Sequence, residues 1–482
     1  MIKKRNNKMN NSWKQYYNQY LSHIVKVDDE NDRNNINQWL VMLLNVIKND
    51  QNVINEIYQI ENNIVSKLIL ITTSCLDQDI LPVTIVTNVY NIYKIMLRKH
   101  ESNNSNNALY TEQFVKLAIT ILNQLFSKNF THDNIDTCKI AIISSINNSL
   151  ISYQNISLQD EKHYVCTNNF TLIHALLNTM KYKASAKYLT ILSNIIYRCT
   201  ALNKQCFQIL YDDIILIIVP TLASSLYLLK HAQQQQEDRI IPKDCVDLML
   251  AVLRIVSLYG PSFLKNQNNN MDEQTMKLIS STGIILLNIL SLKFDLFHTI
   301  YPLKLSVIRI LIDVPETYLI FIIMKNGLKD ILNMLNMESE KIMIDNIKDN
   351  NIVTNNFVPI LLVLIRILKI KKFNNDAFNM VKTFIFPNNL PQDKDIATTN
   401  GKRNMEPIDA PNFTLRRYLI NMLLEFSSST NVIIPLGDLL YILCKQDGDE
   451  LIKRCGLGYS AGILQRQGAL GQFMKGVPSN FG

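Results

Sequence analysis

Apolar residues recur along this chain at the spacing of a helix. Tyr188, Ile191, Leu192, Ile195 and Ile196 make one face, and Leu303, Val307, Ile310, Leu311 and Val314 make another. Phe357, Ile360, Leu361, Leu364 and Leu368 make a third, Leu415, Leu419, Met422, Leu423 and Phe426 a fourth, and Leu436, Leu439, Leu440 and Leu443 a fifth. Side chains three, four and seven positions apart meet on one side of an α-helix, so each set predicts a helix with a buried face. From Phe357 to Ile370 the chain is apolar nearly all round, which predicts a helix covered on several sides. Helices of this kind are expected near residues 84–98, 137–153, 185–199, 244–257, 303–314, 357–370 and 436–445. Their spacing, roughly 40 to 55 residues, resembles that of armadillo or HEAT units, in which two or three helices bury a face on their neighbours. The expected fold is all-α, an armadillo/HEAT-like right-handed helical solenoid.

Polar inserts separate the apolar segments: Ser102 to Asn107, Gln233 to Gln236, Asn266 to Asn270 and Asn346 to Asn356 read as loops. Phe386 to Pro411 holds four of the 13 prolines and reads as a long inter-repeat loop. The expected organisation is a polar N-terminal segment with a first helix over 1–40, a repeat superhelix over 41–455, and a C-terminal segment over 456–482 with seven of the 13 glycines.

Composition narrows the function classes. All 13 glycines lie at Gly260 or later, so the first half cannot hold a glycine-rich phosphate loop. Lys and Arg total 49 against 41 Asp and Glu, a net charge of +8 with no dense basic block. That balance gives a solvated surface with a weak preference for acidic protein partners, and it does not support nucleic-acid binding. None of the eight cysteines pairs as C-x-x-C, and most stand among apolar residues, so reduced core thiols of a cytosolic protein are expected. No signal-peptide pattern opens the chain. The longest apolar uncharged run, about Ile214 to Leu229, is broken by Pro220, so no stable membrane insertion is expected.

Candidate chemistry is sparse. The seven histidines make no ligand pair with one another or with cysteine, so no metal is expected, and His132-Asp133 has no partner carboxylates at helical spacing. Gly456-Leu457-Gly458-Tyr459-Ser460-Ala461-Gly462 mimics a dinucleotide loop. Helix rather than a buried strand precedes it, so no cofactor is expected. The segment instead reads as a helix ending at Gly456, then a short helix in which Ala461 and Gly462 allow close packing. A polar stripe of Thr84, Asn88, Asn91 and Lys94 or Arg98 marks one helix, and Lys187, Thr190, Asn194 and Arg198 another. Asn147 and Asn148 lie between them. In an armadillo-like groove such amides can bond a ligand's amides. Arg309 and Asp313, one turn apart, read as an ordinary surface pair.

The C-terminal region carries a specific resemblance. Leu451-Ile452-Lys453 runs into Gly456-x-Gly458-x-x-Ala461-Gly462-x-Leu464 and ends at Gly468. Upstream stand Thr414-Leu415-Arg416-Arg417-x-Leu419, Asp313-Val314-Pro315 and Thr200-Ala201-Leu202. The combination resembles the signature of the synembryn family (resistance to inhibitors of cholinesterase), with Ser460 in place of a family alanine. It marks Lys453, Gly456, Gly458, Ala461, Gly462 and Gly468 as the family motif. Members are cytosolic exchange factors and chaperones for heterotrimeric G-protein α subunits (Gα), built as armadillo/HEAT superhelices. The resemblance implies a monomeric, cytoplasmic protein, recruited to the plasma membrane or cell cortex, that binds GDP-bound or nucleotide-free Gα and performs no covalent chemistry. Its groove candidates are Asn88, Asn91, Asn147, Asn194 and Arg198, with Arg309, Arg366, Lys369 and Arg416 nearer the C-terminus. The alternative is an armadillo-type peptide scaffold without exchange activity. The Trp-Asn pairs usual in such a groove are not available at repeat spacing, since the two tryptophans are Trp13 and Trp39.

Overall fold

A computed structural model describes residues 30–49, 63–76, 81–99, 106–127, 134–156, 185–202, 218–231, 243–265, 273–292, 297–370, 374–387 and 414–469. Every regular element among them is a helix. The chain divides into two compact units, Met1–Leu258 and Tyr259–Gly482.

In the first unit the helices are α1 (Glu30–Asn49), α2 (Asn63–Leu76), α3 (Val83–Lys99), α4 (Asn106–Ser127), α5 (Ile135–Ile156), α6 (Ala186–Leu202) and α7 over 218–231, with α8 (Lys243–Lys265) running past the boundary. They pack in two rows. Helices α1, α3, α5 and α6 lie side by side in chain order, and α2 and α4 form a second row against α3 and α5. Trp39, Tyr90 and Tyr188, on α1, α3 and α6, are wholly buried.

The second unit repeats a triplet of two long helices and a shorter one. Its helices are α9 (Glu273–Leu290), α10 (Phe297–Leu311), α11 (Glu316–Met324), α12 (Gly327–Ile344), α13 (Asn350–Lys369), α14 (Asn374–Ile385), α15 (Leu415–Glu425), α16 (Thr430–Leu443), α17 (Gly448–Cys455) and α18 (Leu457–Arg466). The first helices of the triplets, α9, α12 and α15, stack in one row that α18 extends, and the second helices, α10, α13 and α16, stack in another. Each second helix carries an internal proline: Pro302, Pro359 and Pro435. The expected all-α helical-repeat fold is the one observed.

Helix α13 meets the expectation of cover on several sides. By length and composition it could cross a membrane, yet it is a core helix packed on α10, α12, α14 and α16. Its start corrects the loop expected over Asn346 to Asn356. Asp349 caps the helix by accepting from the Asn351 amide at 2.8 Å, so Asn350 onward is helical. A cap of this kind contributes about 1 kcal/mol, enough to carry polar residues into a helix whose later turns are fixed by burial. Thr414 and Asp447 cap α15 and α17 in the same way.

Lys304 and Glu338 lie in the core of the second unit. Lys304 is 1% exposed and Glu338 is wholly buried. The Tyr301 hydroxyl donates to Glu338 Oε2 at 2.5 Å, while Oε1 has no partner among the described residues. Burial pushes the Lys304 ammonium down to about 8, against a smaller upward pull from Asp330. The cysteines are core thiols as expected where they are described. Cys75, Cys138, Cys199, Cys245, Cys444 and Cys455 are free and buried, and burial raises Cys75 to about 12.

Candidate partner-binding site

The row α1–α3–α5–α6 collects five of the candidates. Asn88 and Asn91 stand on α3, Asn147 on α5, and Asn194 and Arg198 on α6, all half-buried. Their neighbours explain the burial. Asn88 Nδ2 donates to Asn37 Oδ1 on α1 at 2.8 Å, and Asn148 Nδ2 donates to the Lys94 carbonyl on α3 at 2.8 Å. These amides therefore cross-link successive helices. Asn147 differs from them: its Oδ1 is buried and has no hydrogen-bond partner among the described residues. A buried acceptor left unmade costs about 1–3 kcal/mol.

Asn194 Oδ1 lies 3.5 Å from Arg254 Nη1 on α8. Burial, with repulsion from Arg254, holds the Arg198 guanidinium below its usual range. Arg254 was not among the candidates, although it falls within the helix expected at 244–257. The polar stripes legible in the sequence lie on α3 and α6 with Asn147 and Asn148 on α5 between them, and nothing in the helix period of α8 indicates that its arginine reaches another helix.

The candidates of the second unit are mostly structural. Arg416 is 4% exposed, and its Nε donates to the Arg454 carbonyl at the end of α17 at 3.0 Å. Arg366 donates to the carbonyls of Leu311, Ile312 and Val314, closing the carboxyl end of α10, where helix carbonyls lack amide partners. Arg309 Nη2 donates to the Asn355 carbonyl at 2.9 Å and not to Asp313, so the expected i, i+4 pair is replaced by a bond between helices. Three guanidiniums proposed for a ligand are thus committed to backbone carbonyls.

Lys369 is exposed at the rim of a cleft of about 510 Å3, which Phe378, Asp438, Tyr441, Lys445 and Gln467 also line. Helices α13, α16 and α18 end there. Both lysines sit where a cation complements the negative end of a helix, which accounts for them without a ligand.

The C-terminal motif divides by role. Gly456 adopts φ 87° and links α17 directly to α18, and Gly468 at φ 70° ends α18, with the Ala469 amide donating back to Leu464. Both conformations favour glycine. Ser460 is wholly buried and its hydroxyl donates to the Gly456 carbonyl at 2.7 Å, so a hydroxyl fits where the family has alanine. Lys453 is exposed and Ala461 half-buried. The close packing expected at Gly462 is not found: a Cβ at Gly458 or Gly462 meets nothing within 4 Å. It occurs at Gly437 on α16 instead, where a Cβ would lie 2.6 Å from Arg466 Nη2.

Among the described residues no group of three or more His, Cys, Asp or Glu is placed to hold a metal. His132-Asp133 lies outside the described residues.

Two rows of stacked helices in each unit define a helical-repeat protein. The guanine nucleotide exchange factor synembryn family matches residues 6–480, nearly the whole chain, and the protein belongs to that family. Its membership supports a guanine nucleotide exchange role toward G-protein α subunits. A search of the curated proteins found no match.

Proposed function

We propose that the protein binds a heterotrimeric G-protein α subunit in its GDP-bound or nascent form and stabilises the nucleotide-free state, acting both as exchange factor and as folding chaperone. GDP leaves, GTP binds, and the complex dissociates. Exchange by this route needs no covalent chemistry, only a higher affinity for empty Gα than for loaded Gα. The match to the guanine nucleotide exchange factor synembryn family over residues 6–480 carries the reading, and the half-buried amide row of α3, α5 and α6 supplies a polar face for it. An amphipathic Gα segment laid along this row would place backbone or side-chain N–H groups against it. The protein acts as a monomer in the cytoplasm and reaches the membrane through its partner.

The experiment mixes full-length protein with each Gα of the source and follows release of labelled GDP and formation of a nucleotide-free complex by gel filtration. Excess GTP should dissociate the complex. Absence of both release and complex would overturn the reading, and a complex that survives GTP would indicate a peptide scaffold. Asn147→Ala should leave stability unchanged or slightly raised and weaken the complex by roughly 10-fold.

A further inference from the structure

Asn326 and Gly327 make the turn from α11 into α12, and each is fixed by a different constraint. Asn326 adopts φ 63°, a left-handed conformation that asparagine tolerates better than most residues with a side chain. Gly327 is buried, and a Cβ there would lie 2.7 Å from Ile322 Cγ2 on α11 and 2.7 Å from Leu287 Cδ1 on α9. Nothing larger than glycine fits, so packing enforces an Asn-Gly pair. Asn326 itself is exposed, and its carboxamide makes no capping bond to α12. The Gly327 amide belongs to the first turn of α12, whose amides have no acceptor within the helix.

Asparagine is among the thermolabile residues, and a following glycine has no Cβ to bar the approach of its own nitrogen to the preceding side chain. We propose that Asn326 is a site of spontaneous deamidation, in which the Gly327 nitrogen attacks Asn326 Cγ. The new N–C bond closes a five-membered succinimide. The bond from Cγ to the carboxamide nitrogen breaks, and that nitrogen leaves as ammonia with the proton of the Gly327 amide. Water then opens the ring. Opening at the side-chain carbonyl gives aspartate, and opening at the backbone carbonyl gives isoaspartate. Either product sets a carboxylate beside Lys325 and Lys329, both exposed. Aspartate keeps the main chain and puts a negative charge at the amino end of α12, which favours the helix. Isoaspartate routes the main chain through the former side chain, lengthens the turn, and pulls Gly327 from its fit against Ile322 and Leu287. Ring closure needs rotation about the Cα–C bond of Asn326 away from its folded ψ of 13°, so the rate reports local opening of the turn. Asp447-Gly448 could close the same ring with loss of water. There Asp447 Oδ1 accepts from the Asp449 and Glu450 amides at 2.8 and 3.2 Å, which ties the side chain to α17.

This chemistry does not depend on the function proposed above. The test ages the full-length folded protein in mildly alkaline buffer. Peptide mass spectrometry follows the exchange of amide for carboxyl at each asparagine, and isoaspartate methyltransferase with a labelled methyl donor is the probe for isoaspartate. The second Asn-Gly pair of the sequence, Asn400-Gly401, lies outside the described residues and is read from its own peptide. Asn326 should convert ahead of every asparagine in the described helices, and its peptide should take up methyl label while that of Asp447 does not. Asn326→Gly keeps the left-handed turn and removes the carboxamide, so it should lose the label at this peptide. Aged wild type should show a lower-melting component that aged Asn326→Gly lacks. If Asn326 stays intact in the folded protein while the urea-unfolded chain is converted there, the fold protects the pair and the proposal is overturned. Conversion of Asn326 no faster than that of asparagines followed by larger residues would overturn it equally.

Discussion

Arg309 donates to the carbonyl oxygen of Asn355, the residue whose helix hydrogen bond Pro359 removes. In an unbroken helix the amide of residue 359 would donate to that oxygen, and proline has no amide. The guanidinium of a neighbouring helix in the same row supplies the missing donor. The bond is exposed and water can take the place of the guanidinium, so Arg309→Ala should cost about 0.5–1 kcal/mol of stability. The double variant with Pro359→Ala should recover much of that loss by restoring the helical amide. Urea unfolding of the two single variants and the double variant gives the coupling directly, and strict additivity would show that the bond does not answer to the proline.

Arg366 and Arg416 should behave as structural residues. Each holds carbonyls at a helix end, so Arg366→Ala and Arg416→Ala are each expected to destabilise by roughly 2–4 kcal/mol, the cost of unmade bonds around a half-buried or buried guanidinium. At a temperature where both variants stay folded, affinity for Gα should match wild type. A selective loss of affinity with unchanged melting would return these residues to the binding surface.

Lys304 gives the second unit a signature in alkaline solution. Its folded value is about 8, below the usual 10.5, so between those values the unfolded chain holds the extra proton. Stability then rises with pH across that window, by at most ~3 kcal/mol. Lys304→Met should be more stable than wild type at pH 7 and should lack this rise. Parallel curves for the two proteins between pH 7 and 10 would contradict the buried ammonium.

The glycines of the C-terminal motif should separate on substitution. At Gly462 and Gly458 a methyl group meets open space, and alanine is the better helix former, so the double alanine variant should gain about 1 kcal/mol. Gly456→Ala and Gly437→Ala should each lose stability, the first from its positive φ and the second from contact with Arg466 and Ile463. If the stabilised double variant also loses Gα affinity, the open face of α18 touches the partner.

Helix period and apolar spacing made α3, α5, α6, α8, α10, α13 and α16 legible in the sequence, because burial on one side or all round leaves its mark on residue choice. Asn346 to Asn356 misled because composition was read without the cap: Asp349 turns an asparagine run into the first turns of α13. The triplet of the second unit was also open to reading, through Pro302, Pro359 and Pro435 at one place in each repeat, but proline suggests a helix boundary more than a helix interior. The arginines were the least legible. A guanidinium facing a distant carbonyl, as Arg366 faces Val314, has the same sequence appearance as one awaiting a ligand. Spacing along one helix carries no information about bonds that close between helices 50 residues apart.

The amide bonds of Asn88 to Asn37 and Asn148 to Lys94 join neighbouring helices of the first unit side to side. A seam of leucine and isoleucine is smooth on the scale of a methyl group, so a helix can roll against it by several degrees at little cost. A carboxamide donating at 2.8 Å fixes a direction as well as a distance, so it favours one rotation of the helix against its neighbour. Helices α1, α3 and α5 are therefore keyed to one another by polar bonds as well as by apolar contact. Two directed bonds thus set the rotation of three successive helices, and with it the side of each that the polar face presents.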